Sequence, residues 1–281
     1  MQKMPVKYYA FFTLPTVLAF LIAFLIPFLL GIYLSFTEFT TVTDSRWVGV
    51  SNYVRAFADD RNFLNALVFT IKFALVSVVL INVFSFSLAL LLTRKMKGTN
   101  IFRTVFFMPN LIGGIILGYI WQLLINGVLI NFGVDITFSA NYGFWGLVVL
   151  MNWQMVGYMM IIYIAGIQSI SSELIEAAKI DGADSWQTLK NITIPLVMPA
   201  VTICTFLTVT NSFKLFDQNL ALTGGAPARA SAMLALDIFN TFYGRMGYEG
   251  VGQAKAVIFF LFVALIVMLQ LRFSRSMETE N

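Results

Sequence analysis

Six stretches of the chain, 11–36, 63–92, 104–127, 142–170, 196–222 and 251–271, are almost wholly apolar. Each is close to or above the roughly 20 residues that a helix needs to cross a bilayer core. In hydrocarbon the backbone N–H and C=O groups must be satisfied within the protein, so each stretch is expected to be a helix. The expected fold class is all-α, a polytopic membrane protein with six transmembrane helices forming a single domain, 1–281. Charged residues make up 11% of the chain, against roughly 25% in ordinary soluble domains. The first stretch outlasts the roughly 7–15 apolar residues of a signal-peptide core, so it is expected to stay as an anchor. Pro15 and Pro27 interrupt it, and a kink near Pro27 is expected rather than a break. The polar segment 37–62, with Asp59 and Asp60 among its charges, is too short to bury a core of its own.

Composition also removes several functions. A net charge of +4 and a pI near 9.2 might suggest nucleic acid, but in a membrane chain basic residues more often record topology, and no nucleic-acid partner is expected. With one cysteine, Cys204, and no histidine, common zinc sites and His-based catalysis are missing, so neither metal ligands nor catalytic residues are assigned. The phosphate-loop pattern GxxxxGK[ST] is absent too, so the chain is not an ATPase and binds no cofactor itself. The basic residues divide unevenly between the two faces. Lys3, Lys7, Arg94, Lys95, Lys97, Arg103, Lys179, Lys190, Arg272 and Arg275 fall on one face, and Arg46, Arg55, Arg61, Arg229 and Arg245 on the other. The excess marks the inside, which puts both termini, the 94–103 loop and the polar island 171–199 in the cytoplasm.

That island reads helix, sharp turn, helix. Leu174, Ile175 and Ala178 lie at helical spacing, as do Trp186, Leu189 and Ile192. Gly182 suits a left-handed helix end, Asp184 with Gln187 reads as an N-cap for the second helix, and Pro195 is expected to force a change before the next span. A loop that only joined two spans would be shorter, so a docking surface is expected. Small Ala177 and Ala178 would admit another surface, Glu176 would offer it a charge, and Leu174, Ile175 and Ile180 would fill a cleft, with Asp181 and Gly182 closing the element. The competing reading is an ordinary amphipathic surface helix.

The segment EAAKIDGADSWQTLKNITIP places Glu176, Ala177, Ala178, Gly182, Ile192, Ile194 and Pro195 in a spaced pattern. It resembles the "EAA loop" of permease subunits of bacterial ABC importers, which docks on the ATPase; the family more often has Leu where Ile194 stands. WVGVSNYVRAF, RTVFFMPNLIGGIILGYIWQLL, NWQMVGYMM, TGGAP and Arg272 extend the likeness over nearly the whole chain. Within the family the chain is similar to the maltose-type and glycerol-3-phosphate-type first permease subunit, with a type I importer permease fold. It lacks the extra N-terminal spans and large outer domain of some maltose permeases. The resemblance implies residence in the bacterial cytoplasmic membrane with a second homologous permease subunit, two ATPase subunits that bind ATP and Mg, and an external solute-binding protein. The short island helix would transmit ATPase closure to spans four and five. In relatives the first outer loop and the segment 223–250 meet the solute-binding protein. The latter contains MLALDIFNTFYG, whose Met233, Leu236 and Phe239 or Tyr243 suggest an amphipathic helix in the outer interface.

Polar residues inside spans mark a pathway, because each is costly in lipid. In span five Asn211, Lys214 and Gln218 have spacing that puts them on one helix face. Asn211 and Lys214 approximately match sugar-contacting asparagines of maltose-type relatives, and lysine there points to an acidic or polyhydroxylated solute. The alternative is that Lys214 pairs with Asp217 or snorkels. Span four offers Asn152, Trp153, Gln154 and Tyr158, an indole and amides suited to the faces and hydroxyls of a sugar. Trp153 and Gln154 match the family's cavity, although a Trp near a span end is often an interface anchor. Asn110 and Gly114 follow Pro109, where backbone and space open; Gly113 and Gly114 also suit close helix packing. Lys72 and Asn82 read as structural or snorkelling. A sugar or oligosaccharide is the expected cargo, with glycerol 3-phosphate, a glycerol phosphodiester or a polyamine as alternatives. A secondary transporter would call for inverted repeats and ion-coupling carboxylates, for which Asp217 is the one fair candidate.

Overall fold

The computed structural model describes residues 6–41, 43–58, 61–94 and 97–279. Lys3, Asp59, Asp60 and Lys95 lie outside the described residues, as do the side chains of Lys7 and Arg275. Among the described residues, six helices are long and apolar enough to cross a membrane: Phe11–Leu34, Arg61–Leu92, Gly114–Phe132, Ala140–Gln168, Ser185–Phe213 and Glu249–Arg272. They are called spans one to six below. The chain forms two compact units, Met1–Phe63 with Ile238–Leu261, and Leu64–Asp237 with Phe262–Asn281.

In the first unit, span one stays helical through Pro27. That ring cannot donate to the carbonyl four residues back, and the turn just before it, Leu21–Leu25, widens to π geometry. After the span come two antiparallel strands, Thr37–Phe39 and Ser45–Trp47, and a helix, Ser51–Ala58. Asn52 ties them together: its amide donates to the carbonyls of Ser35 (3.1 Å) and Thr37 (2.8 Å). A methyl group at Gly250 would collide with the Thr37 carbonyl and the Asn52 amide, so only glycine admits this approach. Lys255, in span six, is wholly buried. Its ammonium donates to the Thr241 hydroxyl at 2.8 Å and stands 5.1 Å from the Phe63 ring centroid, which gives the charge a hydrogen bond and a π face away from water.

Span four is the axis of the second unit. Leu147, Leu150, Met151, Met155, Met159, Met160 and Tyr163 bury along it, together with Phe73 and Ile81 of span two and Cys204 of span five. Polar side chains pin the register. The Ser85 hydroxyl donates to the Val156 carbonyl at 2.9 Å, and the Tyr163 hydroxyl to Asn82 Oδ1 at 2.6 Å, so Asn82 is a structural partner within the unit.

Two spans differ from expectation. Span three begins at Gly114 rather than Thr104, because Thr99–Phe107 is a separate helix. Pro109 sits in a tight 3₁₀ turn, Met108–Leu111, and Gly113 is extended before the span starts. Span five stops at Phe213; Lys214 caps it, and Asp217–Leu222 is a separate short helix. Asn211, Lys214 and Gln218 therefore do not share a continuous helix face. The helix Leu234–Gly244 also departs from an interfacial one: Leu234, Leu236, Asp237 and Thr241 are all buried, although Phe239 and Tyr243 are exposed. A helix that buries a carboxylate and a hydroxyl with its leucines is embedded in protein.

Candidate functional site

The polar island folds as its caps dictate. Ser171 accepts from the Glu173 amide and starts a helix, Ser172–Ile180. Gly182, at φ +83°, ends it in the left-handed conformation, and the Ala183 amide reaches back to the Ala178 carbonyl at 2.9 Å. Asp184 and Gln187 then form a reciprocal capping box, with bonds of 2.7 and 2.8 Å. The second helix is not separate from span five. Ser185–Thr188 runs through a π turn, Leu189–Thr193, into span five, and that turn absorbs Pro195 without a break.

The first island helix has two unlike sides. Glu176, Ala177 and Ile180 are exposed, Ile180 to 85%, with Leu174 at the flank and Asp181 and Gly182 exposed at its end. Ala178 is buried and Ile175 half-buried. Ala178, expected in the docking set, fills the chain's own fold instead, because it sits on the opposite side of the helix from Glu176 and Ile180. The exposed side combines the apolar Leu174, Ala177 and Ile180 with the carboxylates of Glu173 and Glu176, and Glu176 has no partner among the described residues.

A second group lies inside the second unit. The Gln218 amide donates to Gln154 Oε1 at 2.9 Å, and Gln154 Nε2 makes a long contact, 3.5 Å, with the Ile112 carbonyl. Gly114 supplies the room: a methyl group there would lie 2.8 Å from the Asp217 Cβ and 3.0 Å from the Gln218 carboxamide carbon. One turn on, a methyl at Gly118 would lie 2.6 Å from the Ala221 Cβ. Span three thus packs its Gly114 and Gly118 closely against the helix Asp217–Leu222, a small-residue contact. Trp153 meets Trp121 edge to face at 5.8 Å, and Tyr158 lies 6.3 Å from Phe107. Asn110, in the turn after Thr99–Phe107, and the hydroxyl of Tyr158 are without hydrogen-bond partners among the described residues.

The structure therefore brings together Gln154, Gln218 and Gly114, beside the Ile112 carbonyl. Asn211 and Lys214 do not join that group: the Asn211 amide donates to Leu207 of its own helix at 2.8 Å, and Lys214 is exposed past the helix end. Several neighbouring polar contacts have no signal in the sequence. Gln122 donates to the Leu222 carbonyl at 3.0 Å. Asn219 donates to Ser231 and Thr223 and accepts from the Met233 amide at 2.9 Å, holding the segment after Leu222. Asn152 donates to Val148, while its Oδ1 is buried without a partner among the described residues. Between spans three and four, the Thr137 hydroxyl and amide hold the Asp135 carboxyl below its usual range.

Six apolar helices, a capped exposed loop before span five and a part-buried amide pair within the second unit define a polytopic membrane protein. The chain belongs to the family of binding-protein-dependent transport system inner membrane components, whose pattern it matches over residues 81–279. It is 46% identical to the probable starch degradation products transport system permease protein AmyD of Thermoanaerobacterium thermosulfurigenes, over 97% of this chain and 96% of that protein. It is 31% identical to the multiple sugar-binding transport system permease protein MsmF of Streptococcus mutans serotype c, covering 88% of each. A bacterial alginate ABC transporter, solved in complex with its alginate pentasaccharide-bound periplasmic protein, has a chain of the same fold. The TM-score is 0.80 at 21% identity, over 97% of this chain and 95% of that one.

Proposed function

We propose that this chain is the permease subunit of an ATP-driven ABC importer that carries a sugar or oligosaccharide, of the kind released from starch, delivered by an external solute-binding protein. The near full-length similarity to a starch-product permease carries this reading. The Gln154–Gln218 pair and its surroundings fit it, since amides exchange hydrogen bonds with hydroxyls and the indole of Trp153 offers a face to sugar C–H groups. A neutral cargo is favoured over an acidic one, because Lys214 stands apart from the amide pair. The exposed side of the island helix, Leu174, Glu176, Ala177, Ile180, Asp181 and Gly182, is the ATPase-docking surface. The ATPase subunits bind ATP and Mg, and a second homologous permease completes the pore. The excess of Lys and Arg on the island's face supports a cytoplasmic position for it and for both termini.

Proteoliposomes containing the co-expressed importer test the proposal with labelled maltooligosaccharides. Uptake is expected only with ATP inside and the solute-binding protein outside. Uptake by this chain alone, driven by an ion gradient, would overturn the importer reading. Indifference to every neutral oligosaccharide, together with transport of a polyamine or glycerol phosphodiester, would overturn the cargo.

Within that assay Gln218→Ala is expected to raise KM about 2- to 10-fold, the equivalent of one hydrogen bond, while melting stays near that of the parent. A fall in melting temperature with KM unchanged would make the pair a packing contact only.

A further inference from the structure

A cavity of about 490 Å³ lies beneath the island helix, within the second unit. It is lined by the last residues of span two, Leu90, Thr93 and Arg94, by Ile175 and Lys179 of the island helix, and by Ser185, Thr188 and Leu189 with Thr193 where span five begins. Ile175 and Lys179 are one turn apart on the flank of the helix beside Glu176, so this cavity borders the docking surface while opening toward the ends of spans two and five.

Its chemistry is lopsided. Arg94 and Lys179 both line it, no carboxylate does, and neither cation has an ion pair or hydrogen bond among the described residues. Asp184, next to Ser185 in the sequence, spends its carboxylate on the Gln187 amide. Three of the four lining hydroxyls are also committed: Thr93 donates to the Leu90 carbonyl, Thr188 to Asp184 and Thr193 to Thr188. The donors left for a ligand are the guanidinium, the ammonium and the Ser185 hydroxyl, above a floor of Leu90, Ile175 and Leu189. Two cations and a hydroxyl over aliphatic carbon suit a phosphate group joined to an apolar or glycerol moiety. The cavity lies where span two ends and span five begins, and the ends of membrane-spanning helices are where phospholipid headgroups are met.

We propose that this cavity is a phosphate-binding site, with Arg94 and Lys179 as its cationic ligands and Ser185 as a neutral donor. The phosphate belongs either to an anionic phospholipid headgroup or to a soluble phosphate, and occupancy would tether the island helix to the end of span two. The site does not depend on which sugar the importer carries.

The test uses the assembled importer in nanodiscs, with native mass spectrometry to count retained ligand. One arm compares phosphatidylglycerol with phosphatidylcholine discs, and the other titrates inorganic phosphate and glycerol 3-phosphate into phosphatidylcholine discs. Arg94→Gln with Lys179→Gln is expected to lower retention roughly 10- to 30-fold. Lys97→Gln with Lys190→Gln removes two exposed cations outside the cavity and is expected to leave retention unchanged. Retention of phosphatidylglycerol alone assigns a lipid source, and binding of the soluble ions alone assigns a free phosphate. Either result supports the site when the cavity variant abolishes it and the control does not. Equal loss in both pairs means diffuse charge attraction and overturns the proposal, as does failure of the parent importer to retain any phosphate. Should the double variant not assemble, Lys179→Gln alone, at an exposed position, is read in the same way.

Discussion

Gly157→Ala is expected to destabilise the importer by at least ~3 kcal/mol and to remove most of the assembled protein from the membrane. Gly157 lies in span four, the axis of the second unit, where the Phe106 carbonyl of the helix Thr99–Phe107 crosses it. A methyl group at Gly157 would fall on that carbonyl, and the obstacle is backbone, which cannot rotate away as a side-chain end would. Span four has little freedom to retreat. One residue before, the Val156 carbonyl accepts from Ser85 of span two, and the flanking Met155, Met159 and Met160 are buried in the core. Gly127→Ala is the matched control: nothing lies within 4 Å of a methyl there, and the position is helical. It should be neutral or slightly stabilising, by up to about 1 kcal/mol, because alanine loses less backbone entropy than glycine on entering a helix. Thermal melting of the purified complex, followed by size-exclusion chromatography, reads both variants. A Gly157→Ala protein that melts with the parent would show that the two helices do not rely on this close crossing.

What makes the six spans legible is the bilayer itself, which demands long apolar runs and so writes the architecture into composition. The island was legible for a different reason: caps and left-handed turns are local, and Ser171, Gly182, Asp184 and Gln187 act on neighbours within a few residues. Interruptions of the spans were harder. Pro109 and Gly113 stand in the sequence as breakers, but hydropathy carries straight across them, so span three was expected to start at Thr104 rather than Gly114. Between Phe213 and Asp217 no proline or glycine marks the end of span five. That break is held by partners distant in the chain: Gln218 on Gln154, and Asn219 on Ser231 and Met233. Lys255 shows the same limit. Nothing local in the sequence announces its partners, and only the fold supplies Thr241 and the Phe63 ring. The amide pair was half legible, since Gln154 and Gln218 were both candidates, while the Asn211 and Lys214 grouped with them depended on a helix that does not continue.

Glu176→Lys is expected to lower ATP-coupled uptake by at least ~30-fold, while the chain still inserts, assembles and melts normally. The two halves of that expectation follow from one observation. Glu176 is exposed and has no partner among the described residues, so nothing in this chain's own fold depends on its charge. The neighbouring Ile180, 85% exposed, is a large apolar side chain with no place in the chain's own core, which is what a helix seated in a partner's cleft requires. Reversing the charge at the centre of that face penalises docking through repulsion and desolvation, and the penalty falls on the coupled complex alone. Ile180→Asp, which leaves the carboxylate in place and spoils the apolar contact, should reproduce the loss. Ala178→Ser should not: Ala178 is buried on the opposite side of the helix, so its cost appears in melting before it appears in coupling. Uptake assays beside quantitative pull-down of the ATPase separate these cases. Unchanged uptake in Glu176→Lys would remove the island helix from the coupling path. Lost uptake with full ATPase retention would instead move its role from holding the ATPase to transmitting closure into span five, which is continuous with the second half of the island.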